Sequence, residues 1–526
     1  MKKILILFII LCSGVASKAQ AVEWYTLKEA DVYFDVANGR IDSLTEQGRN
    51  NIRNVNLRLP IGFGEEKQIK SIASRTFQRS NIQNLNLNAC RALESIGNLA
   101  FAENSIVDLR IDSCISLKYL RSASFLKNKI DLLDLKGCPS LSVIDTSSFY
   151  RNNLSSIDLS DCTSLERINY GAFVGNQIVD IDLSGCTSLK SIGNSVFIRN
   201  NVKGVDFGGC SSLQSIGEFS FYRNSLKTVD LKDCISLEDI GSNAFRENQI
   251  SNVILSSCVD LKRIGEYAFE RNVILNLDLS PCVSLQSIDK RAFASNMLVN
   301  VNISSCQQLE SIGEEAFESN NLADIDISKC SSLEIIGRGA FDRSSGQSAR
   351  LNLSACKALR CIDARAFRLC RLQSVDLSGC TALERIEDYA FYKNDIRSLD
   401  LKSCNAIAII AIGAFTENQI ESLDLSACND IQFIGADAFR GNKLSDLDFT
   451  SCRSLNTLGR DAFHGNKLKQ VDLRDCVTLK YIDFDTTVKN LSKLERNEKA
   501  SNVILTEVFG ANSINKRRIK LSKHLK

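Results

Sequence analysis

Proline is nearly missing from this chain: Pro60, Pro139 and Pro281 are the only three in 526 residues. Long proline-rich linkers are therefore excluded. Histidine is scarcer still, with only His464 and His524. Neither stands near a recurring Ser or Cys, so no Ser-His-Asp or Cys-His nucleophile can be assembled. Cys-x-x-Cys pairs are absent, which removes the usual metal-ligand spacing. No Gly-rich loop runs into Lys-Ser or Lys-Thr, and Gly62 and Gly64 form an isolated loop, so no phosphate cradle is indicated. Net charge is also nearly absent, at +2 from 64 basic and 62 acidic side chains. That balance points to neither nucleic acid nor an anionic membrane as partner. These absences leave no cofactor and no enzyme chemistry to expect.

Cysteine is abundant and periodic. From Cys90 to Cys330 one falls every 24 residues; two extra residues enter before Cys356, and the step resumes to Cys476. Cys90, Cys114, Cys138, Cys162, Cys186, Cys210 and Cys234 open a row of seventeen. A fixed period of this size means stacked supersecondary units, a solenoid that grows by addition. Phenylalanine keeps the same step, with Phe101, Phe125 and Phe149 in a row that begins at Phe77 and ends at Phe463, because position 487 is Thr487. Such stacked rings fill the wide side of a coil. Asn104, Asn128 and Asn152 start a third row, three residues after each Phe. Their amides suit the turn into the next strand, where buried backbone groups need partners.

One unit, residues 225–248, begins L-x-x-V-x-L-x-x-C-x-x-L. Val229-Asp230-Leu231 alternates with period two and predicts a short strand. The second part, I-G-x-x-A-F-x-x-N, carries the return path. Leu309-Glu-Ser-Ile-Gly-Glu-Glu-Ala-Phe317 and Leu189-Lys-Ser-Ile-Gly-Asn-Ser-Val-Phe197 show it clearly. These motifs resemble the BspA-like class of bacterial leucine-rich repeat over about residues 66–485. The resemblance implies an α/β-type leucine-rich repeat solenoid with a continuous parallel sheet, about 17 units of 24 residues plus end caps. At about 4.8 Å per strand it would be roughly 80 Å long. It also implies an exported or cell-surface protein that takes part in adhesion or ligand binding. The chain departs from the family in holding Asn at most corners, where Cys370 alone matches the family's frequent Cys.

Four residues before each ladder Cys lies the outward strand position. Asp134, Asp158, Asp182, Asp206 and Asp230 occupy it in succession, and Asp376, Asp400, Asp424, Asp448 and Asp472 do so again. Asp278 and Asp326 lie between, with Ile254, Asn302 and Asn352 as interruptions. Two readings follow: a solubilising consensus offset by Ser and Lys, or an acidic stripe that receives a cationic partner or divalent ions. The ladder cysteines read as buried free thiols, since their side chains run parallel into the core. For Cys361 and Cys370, off the ladder, spacing leaves a local disulfide open.

The ends differ from the repeat. Lys2 and Lys3, the apolar run Ile4–Ile10, and Ser17 and Ala19 predict a signal peptide over 1–19. Elsewhere no apolar stretch is long enough to span a bilayer. Residues 20–65 read as an N-terminal cap with a degenerate first repeat at Asn56–Pro60, its open end covered by Trp24, Tyr25, Tyr33 and Phe34. Residues 66–485 are the solenoid, and 486–526 a C-terminal cap and basic tail. Lys516–Lys526 is strongly basic, either solvated or a contact for anionic envelope polymers. The insertion at 344–350 predicts a bulge at one rim. The expectation is an exported non-enzymatic protein, secreted or cell-surface, whose sheet face binds an extracellular protein or glycan. The alternative is a self-associating envelope component. An enzyme site within 20–65 fails because that segment is too short for its own core.

Overall fold

The computed structural model describes residues 23–346, 350–483, 488–490, 504–510 and 519–521. The segment read as a signal peptide, residues 347–349 of the insertion and most of 484–526 lie outside them.

The chain winds as a parallel solenoid of 24-residue turns. Each turn has two short strands and an arc, and helix is nearly absent: Glu46–Asn51 is the one α-helix among the described residues. One continuous parallel sheet is present, built not from copies of the Val-Asp-Leu strand but from the second strand of each turn. These strands, such as Ser95–Ile96 and Ser215–Ile216, are mostly two residues long. They pair in register from Arg40–Leu44 through Tyr481–Asp483. Both edges are sealed by antiparallel strands, Val32–Asp35 at one end and Val488–Asn490 at the other. The Val-Asp-Leu strands form six shorter sheets in place of one.

The arc is held by three ladders. Phe rings stack at 4.9–5.6 Å between centroids, nearly parallel, from Phe77 to Phe463. Asn104 donates from Nδ2 to the carbonyls of Phe77 and Phe101 and accepts the Ile82 N–H on Oδ1. Asn128 and Asn152 repeat this one and two turns on. Each ladder thiol is buried and unbridged, and most donate to a carbonyl of the preceding turn, as Cys114 does to Leu87. Burial pushes the Cys90, Cys138 and Cys210 thiols up to about 12. Cys361 and Cys370 are not bridged. Cys361 is half-buried on its strand, whereas Cys370 fills an Asn corner and donates to Phe341 O at 2.9 Å. Ser344 fills the preceding corner by donating to Phe317 O at 2.7 Å.

Arc hydrogen bonds also run between turns. Leu99, Phe101 and Glu103 donate to Ser122, Ser124 and Leu126. Leu99 and Glu103 have φ of 56°, in the left-handed region that non-glycine residues avoid. That conformation recurs on both sides of the Phe in most turns.

At the ends the structure departs from four expectations. Asn56–Arg58 is a strand, but Trp24–Thr26 precedes it in the sheet, so the repeat starts earlier. Of the four aromatics, Tyr25 and Phe34 pack on the core, Tyr33 is 61% exposed, and Trp24 lies on the sheet face between Arg58 and Arg110. The Phe row does not stop at Phe463: Phe509 stacks on it at 5.4 Å. The Phe463 N–H reaches Val508 O, so residues 504–510 stand where a further arc would be. In the basic C-terminal stretch, Ile519–Leu521 pairs in parallel with Val471–Leu473, which makes that part a strand and not a solvated tail.

Candidate binding face

The sheet face is built from triads such as Asp180-Ile181-Asp182. Ile181 is buried, and the two flanking carboxylates point outward. Parallel in-register pairing puts Asp134 beside Asp158, Asp158 beside Asp182, and Asp182 beside Asp206. Asp376, Asp400, Asp424 and Asp448 are paired likewise. At about 5 Å, neighbouring carboxylates repel by about 0.8 kcal/mol in water.

The aspartates also have a local duty. In each, Oδ1 accepts the backbone N–H two residues on: Lys136 for Asp134, Ser160 for Asp158, Ser184 for Asp182, Gly208 for Asp206, Lys232 for Asp230. Asp376, Asp400, Asp424, Asp448 and Asp472 do the same. This is the Asx turn that ends the strand. Asn302 and Asn352 make the same bond where they replace Asp. The sequence carried this signal, because an amide can replace a carboxylate only where an acceptor is needed.

Cations neutralise part of the row. Lys136 pairs with Asp158 at 2.8 Å, Lys232 with Asp230 at 3.5 Å, Lys402 with Asp424 at 3.7 Å and Arg474 with Asp472 at 2.7 Å. Burial raises the Asp158 carboxyl, but hydrogen bonds from Lys136 and Ser160 outweigh it and hold the group below the usual range. Hydrogen bonds from Ser426 lower Asp424 in the same way. Asp134, Asp182, Asp206, Asp376, Asp400 and Asp448 form no ion pair among the described residues.

Among the described residues three notches open this face: one, of ≈ 290 Å³, lies around Asp326, Asn352 and Asp376, and two larger ones lie one in each run of aspartates. The first of the larger two, of ≈ 620 Å³, lies around Gly204 and Gly208, with Asp182, Asp206 and Asp230 as walls. The second, of ≈ 360 Å³, lies between Asp424, Asp448 and Asp472. These two coincide with breaks in sheet pairing, after Gly204–Asp206 and after Asp446–Asp448, and pairing also breaks after Leu109–Arg110, Asn252–Ile254 and Asn300–Asn302. At the two larger notches Phe replaces the inward Leu. Phe207 and Phe449 sit edge-on to Phe221 and Phe463, at 78° and 89°. Val205 and Leu447, the strand centres next to those rings, are partly exposed and form apolar floors. Sequence reasoning missed these notches, although the Leu-to-Phe changes were visible.

His464 is part of a local pair with Asp461 at 3.0 Å. Among the described residues no cluster of three or more His, Cys, Asp or Glu is arranged to hold a metal. No described helix is long and apolar enough to cross a membrane.

Parallel turns of 24 residues, an inward Leu/Ile/Cys set and an Asn corner define a leucine-rich repeat solenoid. A family model described as "BspA type Leucine rich repeat region (6 copies)" matches residues 65–179, 125–237, 214–348, 348–469 and 408–525. The chain belongs to the BspA-type leucine-rich repeat family. Proteins of this type are generally protein-interaction or adhesion scaffolds. No curated protein matches. Among solved structures, the functional domain of InlJ from Listeria monocytogenes, which includes a cysteine ladder, is 16% identical, covers 83% of this chain and 74% of its own, and gives a TM-score of 0.34. A leucine-rich cell surface protein from Faecalibacterium prausnitzii is 17% identical, with 76% and 95% coverage and a TM-score of 0.31. A leucine-rich repeat protein from Bacteroides ovatus is 16% identical, with 85% and 99% coverage and a TM-score of 0.31.

Proposed function

We propose that this is an exported, non-enzymatic binding protein whose sheet face takes an extracellular protein through that partner's basic side chains. The observation that carries this is the pair of larger notches. Each offers an apolar floor and carboxylate walls, which suits a Lys or Arg whose stem lies on Val205 or Leu447 while its head meets the carboxylates. The notches are ten turns apart, about 48 Å at strand spacing. A partner that fills both gains from effective concentration.

The test is binding of the full mature chain to a panel of extracellular proteins and glycans at low and high salt. Asp182→Asn, Asp206→Asn and Asp230→Asn together should weaken the contact and flatten its salt dependence. Phe207→Leu should weaken it as well, by reshaping the apolar floor beside Val205 without altering charge. Full binding by both variants would refute the assignment to this face.

A further inference from the structure

We infer a second interaction surface, of opposite charge, on the flank next to the first run of aspartates, and we propose that it binds a linear anionic polysaccharide. The flank is the stretch between the Phe arc and the strand. In each turn the residues two, four and six after the Phe point outward, and those three and five after it are buried, as Asn128 and Ile130 show.

Over the five turns from Phe125 to Phe221 this flank carries Lys127, Lys129, Arg151, Arg199, Lys203 and Lys227, all exposed. None of the six takes part in an ion pair among the described residues. A seventh cation, Arg223, pairs with Glu247 at 2.7 Å. Asp131 is the flank's one carboxylate over these turns. Elsewhere some cations of these rows are paired, as Arg79 is with Glu103 and Lys393 with Glu417, while Arg343, Arg371, Arg397, Lys443, Lys467 and Lys469 stand in rows that also hold Asp395, Glu417 and Glu421. The stretch from Phe125 to Phe221 is set apart by having seven cations against a single carboxylate.

The geometry suits a rod-like polyanion. Phe149 and Phe173 lie 5.4 Å apart, so the row advances by about that step per turn over roughly 20–25 Å, with cations in four of the five turns and none in the turn of Phe173. Lys127, Arg151, Arg199 and Arg223 hold φ of 52–59°, where Gly175 occupies the same row without strain. Tyr150 and Tyr222 lie beside this row, with Arg151 and Arg223 against their rings at 5.3 and 5.0 Å. Flat rings with guanidinium groups beside them suit a sugar carrying carboxylate, sulfate or phosphate. The sheet face of the same five turns carries Asp134, Asp158, Asp182, Asp206 and Asp230 in its stripe. A polyanion is thus drawn to the flank and repelled from the face, which leaves the face free for a second partner.

The probe is dextran sulfate, with neutral dextran of equal length and anionic phospholipid vesicles as comparisons. The variants are Lys127→Gln, Arg151→Gln, Arg199→Gln and Lys203→Gln combined, and the sheet-face set Asp182→Asn, Asp206→Asn and Asp230→Asn. The expected result is binding to dextran sulfate and not to dextran, with affinity falling steeply as salt rises. The four-cation variant should lower the slope of log affinity against log salt by roughly 3, at about 0.7–0.9 per lost contact. The sheet-face variant should bind dextran sulfate at least as well as wild type. No binding at low salt, an unchanged slope in the four-cation variant, or binding to vesicles but not to dextran sulfate would overturn the proposal. Loss of a protein partner in the sheet-face variant alone would test the proposed face separately.

Discussion

Replacing Asn418 by Ala should show how much one Asn corner contributes. Asn418 is 1% exposed. Its Oδ1 accepts the Ile396 N–H at 3.3 Å, and its Nδ2 donates to Phe391 O and Phe415 O, both at 2.9 Å. The three bonds are unequal. Phe391 O also accepts from Asn394, and Phe415 O from Asn442, so both carbonyls keep a donor after the substitution. The Ile396 N–H would have no partner left. An orphaned buried N–H costs about 1–3 kcal/mol, and the cavity adds about 1 kcal/mol. The total is about 2–4 kcal/mol. Because solenoid stability sums over neighbouring turns, a single melting midpoint is a poor readout. Native-state hydrogen exchange at Ile396 is direct, and protection there should fall about 30- to 1000-fold, at a factor of ten per 1.36 kcal/mol. Asn418→Asp should cost more, since it sets carboxylate oxygens against two carbonyls in a buried corner. A fall of less than fivefold for Ala, or Asp milder than Ala, would show that water serves the corner and refute this accounting.

Three other outcomes are expected. Phe509→Ala should cost about 3–5 kcal/mol locally and expose residues 504–510 to proteolysis, because the ring is wholly buried against Phe463; unchanged cleavage would mean that this segment does not close the coil. Of the described thiols only Cys361 is not fully buried, so a water-soluble disulfide reagent should modify one thiol rapidly in the native chain and the rest only after unfolding; several fast thiols would contradict the buried ladder. The thiols' contribution to stability should be level below about pH 9 and fall as pH rises toward about 12. The ladder thiols lie above their ordinary 9.0 through burial, so only the unfolded chain loses those protons in this window. A denaturant midpoint unchanged between pH 8 and pH 11 would refute that linkage.

The repeat was legible because three side-chain types recur in one register, and chance cannot sustain a 24-residue step across seventeen turns. The Cys, Phe and Asn rows each fill a position that every turn presents identically. The second sheet was not legible: a two-residue strand such as Ser215–Ile216 is too short to show period-two alternation. Left-handed backbone at Lys127 or Arg151 was hidden too, because charged residues give no sign of positive φ. Phe509 escaped because it stands 46 residues beyond Phe463, outside the period. The aspartate row was visible as charge, while its turn-capping duty was not read, although Asn302 and Asn352 pointed to it. At the larger notches, Phe207 and Phe449 looked like ordinary apolar substitutions. Nothing in the repeat marks their edge-on packing against Phe221 and Phe463.

The double duty of the aspartates decides what a substitution there can mean. Ala would remove both the charge and the Asx turn, so lost binding would not distinguish a lost contact from a damaged strand end. Asn keeps the acceptor, as Asn302 shows by taking the Ser304 N–H at 3.1 Å. Asp182→Asn therefore changes charge alone. Asp182 has in-register neighbours on both sides, Asp158 and Asp206. Removing its charge relieves two repulsions of about 0.8 kcal/mol each in water, less once salt screens them. Stability should rise by up to about 1.6 kcal/mol. A row kept only for solubility would show that gain with binding intact. A row kept for a cationic partner would gain stability and lose affinity in the same variant. Denaturant unfolding and binding measured on one Asp182→Asn preparation thus separate the two roles, and a gain in stability without loss of affinity would remove the carboxylates from the recognition surface.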